Sequence, residues 1–136
     1  MACLDTTLLL DYSGKGGKLL RERAREKIRS LVVAGENLTT TRLNVAEMWV
    51  GVERSQAPEN ELKAVEEVLS PLFILELDDA SARLFGKITA RLQLDGLPRG
   101  DMDVLIAAVA LAHDQKVVTR NVRHFEGIAG LRVESY

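Results

Sequence analysis

The chain has 136 residues, enough for one domain with a substantial core and too few for two ordinary ones. Hydrophobic residues make up 46% and charged residues 28%, the balance of a soluble globular protein, and no apolar run approaches the roughly 20 residues that span a bilayer. A net charge of -2 argues against a protein that grips nucleic acid over its whole surface.

The opening MACLDTTLLLDY places an aspartate inside a short apolar run and lacks a basic leader and a small-residue cleavage site, so it does not read as a signal peptide. Ala2 to Asp5 predicts a buried first strand that gives way to a turn at Asp5-Thr6-Thr7. The single cysteine, Cys3, then reads as a small core residue, and a cytoplasmic protein is expected. SGKGG at 13–17 reads as a loop. Leu19, Leu20, Ala24, Ile28, Leu31 and Val32 then recur at helical intervals through about residue 34, where Gly35 supplies the stop. This helix carries the charge that the average hides: Lys15, Lys18, Arg21, Arg23, Arg25, Lys27 and Arg29 are relieved only by Glu22 and Glu26. It is either a face for phosphates or a solvated face with internal ion pairs.

Leu38 to Thr40 predicts a second strand, and Leu43 to Ser55 a helix whose apolar face is Val45, Met48, Trp49 and Val52, with Glu47 on its flank. Pro58 ends that unit, 60–69 forms another helix, and Ser70-Pro71 breaks it. Phe73 to Leu77 is a third strand. Asp78 or Asp79 caps a helix that ends near Asp95-Gly96. After a turn at Pro98-Arg99-Gly100 a helix runs from about 101 to 113. Lys116 to Thr119 is a fourth strand, Val122 to Phe125 a helical turn, and Leu131 to Val133 a last short strand. Short apolar strands alternating with helices describe one α/β domain over residues 1–136, with a central, mainly parallel sheet and helices on both faces.

In such sheets ligands bind beyond the carboxyl ends of the strands. That rule gathers Asp5, Glu47, the pair Asp101 and Asp103, and the segment Thr119-Arg120-Asn121. Ionised carboxylates brought together without compensation cost several kcal/mol, so such a cluster calls for a cation. Oxygen ligands without histidine or cysteine favour Mg²⁺ or Mn²⁺ over zinc; His113 and His124 have no partner at a metal-ligand spacing. Each acid also has a plainer reading. Asp5 suits an N-cap, Glu47 a solvent boundary beside Trp49, and Asp101 the first turn of any helix. Asp103 is harder to dismiss, because Val104 to Ala112 contains no polar side chain and its helix is buried nearly all round.

Taken together, LDTTLLLDY at 4–12, TTTRLNVAEMWVG at 39–51, GDMDVLIAAVAL at 100–111, VVTRNVRHF at 117–125 and the closing GLRVESY resemble the PIN-domain ribonucleases, specifically VapC-type toxins of toxin–antitoxin pairs. The resemblance implies a three-layer α/β/α sandwich and an acid cluster that binds Mg²⁺ or Mn²⁺ and cuts RNA. Asp5, Glu47 and Asp103 match the family's acids and are the implied metal ligands, while Thr119 and Asn121 fall in the fourth motif. Asn121 stands where many PIN domains carry a fourth acid, and Asp101 is a candidate to compensate. Thr6 and Thr119 would position carboxylates or a phosphate, and Arg99, Arg120 and Arg123 would hold RNA on the rim. The family also implies an antitoxin whose tail crosses the groove, and a homodimer formed through helices within 41–55 or 60–94. The missing fourth acid keeps a non-cutting module that binds RNA or a protein as the alternative. A phosphatase of another α/β family lacks its DxDxT motif here.

Overall fold

The structure is a computed structural model that describes residues 1–136. Its strands are β1 (Ala2–Leu4), β2 (Leu38–Thr41), β3 (Phe73–Leu75), β4 (Lys116–Val118) and β5 (Val133–Glu134). They form one fully parallel sheet in the order β3-β2-β1-β4-β5. The helices are α1 (Thr6–Tyr12), α2 (Lys18–Val33), α3 (Arg42–Arg54), α4 (Pro58–Leu69), α5 (Asp79–Leu94) and α6 (Asp101–Ala112), with a 3₁₀ turn at Val122–Phe125.

Strand alternation makes the layers. Ala2, Leu4 and Val118 face one core with Leu8, Leu9, Ala24, Leu31, Met48 and Val52, while Cys3 and Val117 face the other with Ile106, Ala107, Ala110, Phe125 and Ile128. A sheet buried on both faces must read as continuous apolar strands, which is what ACL and KVV provide. Cys3 is fully enclosed and its thiol is pushed up to about 12, chiefly by burial, so it is inert. The chain winds from β1 outward to β2 and β3, then crosses to the far side of β1 to lay down β4. The switch therefore falls between β1 and β4, and Asp5 and Thr119 are the residues that follow those two strands.

Several expectations need correction. The segment after Asp5 is not a turn but helix α1, in which the amides of Leu8 and Leu9 bond the Asp5 carbonyl. Three consecutive leucines carry no helical period, and the helix exists because Leu8 and Leu9 both find the core. Pro58 opens α4 rather than only closing the preceding unit, since a missing N–H costs nothing at the first helical position. The third strand stops at Leu75, and β5 lies at 133–134 rather than 131–133. Trp49 is 37% exposed, off the Val45–Met48–Val52 stripe that packs inward.

Candidate metal and RNA site

Asp5 occupies the N-cap position of α1, but its side chain does not cap the helix. Its Oδ1 accepts from Asn44 Nδ2 at 3.0 Å and its Oδ2 from Thr119 Oγ1 at 2.7 Å. Thr7 Oγ1 lies 3.4 Å from the same Oδ2 and 3.2 Å from Thr119 Oγ1. With the Thr119 proton committed to Asp5, the Thr7 proton is the one shared between these two acceptors. Thr7 and Thr119 in turn accept from the amides of Arg120 (3.2 Å) and Asn121 (3.0 Å), so the backbone after β4 is tied to the carboxylate. Asp5 is thus buried, 6% exposed, and held by donors on both oxygens.

Asn44 does two jobs. It is the third residue of a capping box, its Oδ1 accepting from the Thr41 amide (3.2 Å) and hydroxyl (2.7 Å), while its Nδ2 donates to Asp5 and, at 3.0 Å, to Thr6 Oγ1. An amide donor on its oxygen side settles which way the side chain points. One α3 turn further on, Glu47 Oε1 accepts from Thr6 Oγ1 at 2.8 Å. Burial raises the Glu47 pKa, the Thr6 bond opposes this, and the charges of Asp5 and Asp103 raise it further. Asp103, in the first turn of α6, is likewise raised mainly by burial and in part by Asp5, against the lowering effect of His124. His124 Nδ1 lies 3.1 Å from Asp103 Oδ2. The Asp5 charge therefore acts on both Glu47 and Asp103, that of Asp103 acts on Glu47, and no lysine or arginine pairs with any of the three.

A polar cleft of about 410 Å³ adjoins Asp103, lined by Pro98, Arg99, Gly100, Arg123, His124 and Glu126, none of them hydrophobic. Arg99 bonds the carbonyls of Pro98 and Glu126, both at 3.3 Å, and Arg123 is exposed.

The family model for the PIN domain matches residues 2–131. The chain belongs to the PIN-domain family. It is 39% identical over 105 residues to the tRNA(fMet)-specific endonuclease VapC of Salmonella typhimurium, covering 74% of this chain and 80% of that protein. It is 30% identical over 125 residues to ribonuclease VapC19 of Mycobacterium tuberculosis, covering 92% of each. DNA-bound VapBC from Salmonella typhimurium superposes with a TM-score of 0.83 at 32% identity, over 98% of this chain and 96% of that one. The Rickettsia felis VapBC2 complex shares the fold, with a TM-score of 0.86 at 24% identity over 99% and 98%.

Within this PIN domain, the acids predicted from sequence separate. Asp5, Glu47 and Asp103 share the carboxyl edge of the sheet, and Thr6 and Thr119 bond to them. Asp101 does not join them: it is exposed and borders a small recess with Thr89, Gln93 and Val104. It is one residue out of phase, since two helical positions put 200° between it and Asp103. Asn121 precedes the 3₁₀ turn with its side chain unbonded, while Arg120 turns away to Asp11. No three acidic, histidine or cysteine side chains converge closely enough to hold an ion directly. Glu47 Oε2 and Asp103 Oδ1 nevertheless carry no hydrogen bond, and an all-oxygen donor set with open positions suits a hard ion that keeps several waters.

Asn44, Thr7, His124 and Asp11 escaped the sequence reading. Asn44 had a signal, the Thr41-x-x-Asn44 box. Asp11 had none: it is 1% exposed and binds Arg120 Nε at 2.9 Å and the Tyr136 hydroxyl at 2.6 Å. Burial and the Asp11 charge hold the Tyr136 phenol above its ordinary pKa.

Proposed function

We propose that the cleft hydrolyses RNA phosphodiester bonds with a Mg²⁺ or Mn²⁺ ion held, in part through its waters, by Asp5, Glu47 and Asp103. The enzyme class is that of its relatives, the VapC endoribonucleases, and the solved structures it resembles are toxin–antitoxin complexes. The observation that supports the metal reading is a group of three carboxylates, two of them with raised pKa values, that has no lysine or arginine partner and only His124 beside Asp103. A bound divalent ion would lower the pKa of a water, engage a phosphate oxygen and neutralise charge at the departing oxygen.

The chain's own residues supply the rest. Asp5 is immobilised by Asn44 and Thr119, so its geometry is set before substrate arrives. Glu47 is steadied on one oxygen by Thr6, and its other oxygen, with a raised affinity for protons, accepts the proton of the attacking water. Asp103 completes the charge, with His124 fixing one of its oxygens. Arg99 and Arg123 hold RNA phosphates along the polar cleft, and Arg120, paired with Asp11, adds its charge next to Thr119. The partners are RNA, an antitoxin whose tail crosses this groove, and a second copy of the chain bound through 41–55 or 60–94, where Trp49, Val50 and Leu94 are exposed. No helix is long and apolar enough to cross a membrane, and the proposed setting is the cytoplasm.

A labelled RNA pool incubated with Mn²⁺ tests this reading. Cleavage abolished by EDTA and by Asp103→Asn is the expected result; cleavage that survives both sinks the mechanism. Binding without cleavage by the wild-type protein would favour the non-cutting module.

A further inference from the structure

The basic segment of α2 has no role in the chemistry above. Lys15, Lys27 and Arg29 are paired with Glu61, Glu134 and Glu26, but Lys18, Arg21, Arg23 and Arg25 have no carboxylate within 4.0 Å. Elsewhere the unpaired cations are the cleft residues Arg99 and Arg123 and the scattered Arg54, Lys63 and Lys87. Lys18, Arg21 and Arg25 are all exposed and, at helical spacing, share one flank about 10 Å long. That flank is continuous with the site. Arg21 lies across Gly14, its Cδ 3.4 Å from where a Cβ would be, and Arg25 sits over the Tyr12 ring at 5.4 Å. The same loop packs on Asp11, which clamps one edge of the guanidinium of Arg120, the residue between Thr119 and Asn121.

Locally this arrangement is unfavourable. Lys18 opposes the helix dipole, and Arg21 and Arg25, one turn apart, repel each other, with Glu22 the one carboxylate at helical spacing from Lys18 and Arg25. An anion along the flank relieves both. We propose that Lys18, Arg21 and Arg25, continued by Arg120, form a track for the phosphate backbone of folded RNA that extends beyond the segment being cut. This rests on the RNA reading above and names where the body of the substrate lies. An exposed basic row, with the Tyr12 ring already engaged by Arg25, suits phosphates, which are read as charge alone.

The test measures binding, not cleavage, so it stands apart from the catalytic proposal. Fluorescence anisotropy in Mg²⁺, in the Asp103→Asn background, compares a folded tRNA transcript with a short single strand carrying one cut segment. Lys18→Glu with Arg21→Gln is expected to weaken transcript binding about tenfold and make its salt dependence shallower by about two in log–log slope, with a smaller change for the short strand. Lys18→Glu alone is expected to raise Tm slightly by agreeing with the helix dipole, so lost affinity would not reflect lost folding. Arg21→Lys with Arg25→Lys keeps the affinity, and Arg83→Gln, an exposed arginine of α5, serves as control. Transcript affinity within about twofold of the parent, or equal losses for both RNAs, overturns the proposal. Loss of an acidic antitoxin peptide with RNA affinity intact overturns it as well and assigns the flank to protein.

Discussion

The two ends of the same sheet treat carboxylates in opposite ways. From the amino-terminal end of β4 Lys116 lies 3.0 Å from Glu36 and reaches Glu134, the last residue of β5, at 2.7 Å; Lys27 also reaches Glu134 at 2.8 Å, and the Met1 ammonium pairs with Glu36. Hydrogen bonds from that ammonium and from Lys116 hold Glu36 down at about 2, and those from Lys116 and Lys27 lower Glu134. At the carboxyl end Glu47 and Asp103 are raised, first by burial; Asp5 adds to both and Asp103 to Glu47, with one histidine, which lowers Asp103, as the only basic neighbour. The first end is complete by itself. The second is left short of positive charge, and that deficit is what supports the proposed binding of a cation and a phosphate there.

The comparison breaks most clearly at Asp5. Asp5→Asn keeps the shape and removes the charge, and cleavage is expected to fall about a thousandfold, some 4 kcal/mol of barrier, in a Mn²⁺-supported RNA assay. A loss below tenfold would remove Asp5 from the ligand set. Next in size is the Asp11–Arg120 pair, which is compensated like the amino-terminal end yet lies beside the site. Arg120→Gln leaves a carboxylate that is 1% exposed with only the Tyr136 hydroxyl, at a cost of about 3 kcal/mol in urea unfolding. Asp11→Asn releases an arginine whose side chain is 44% exposed and can turn to water, so it should cost clearly less. The reverse order would show that Asp11 is not the stranded partner.

Gly16→Ala probes the same pair from the loop side. Its new Cβ would collide with Asp11 Oδ1 and lie 2.8 Å from a Leu20 methyl, and overpacking of this kind costs about 1–2 kcal/mol. A melting temperature equal to wild type would mean that the loop moves freely. The smallest effects are in pH dependence, where the two ends should show opposite signs without metal. Glu36 and Glu134 have lowered pKa values in the folded state, so their stabilisation is present above the ordinary carboxylate range and is lost as pH falls toward 2. Glu47 and Asp103 have raised values, so the folded protein binds protons more readily than the unfolded chain and loses stability as pH rises through that range. Melting curves should accordingly show Glu47→Gln more stable than wild type at neutral pH, with the gain shrinking on acidification. Lys116→Gln should shift acid unfolding to higher pH. Parallel behaviour of the two variants would erase the distinction between the ends.

The acids proposed as ligands were legible where the local pattern was unambiguous. Asp103 stood out because nine apolar residues follow it, and such a helix can only be buried. Glu47 was placed by an amphipathic helix whose Val45, Met48 and Val52 set its rotation. Helix α1 was not legible, because a seven-residue apolar segment has no period long enough to separate strand from helix. Nor was Asp11, since its partners Arg120 and Tyr136 are more than a hundred residues away in sequence.

The alternation of strands and helices, the parallel sheet buried on both faces and the acids at element ends are written in the chain itself, because they follow from hydrophobic period and from where polar residues interrupt it. Which acids meet depends on contacts between elements distant in sequence. Asp101 and Asp103 are equivalent to a pattern and differ by about half a turn in space. Asp5 is an ordinary cap until Asn44 and Thr119 arrive from other elements to take its oxygens. Burial and mutual repulsion, the two effects that raise Glu47 and Asp103, exist only once the chain has brought its carboxylates to one edge.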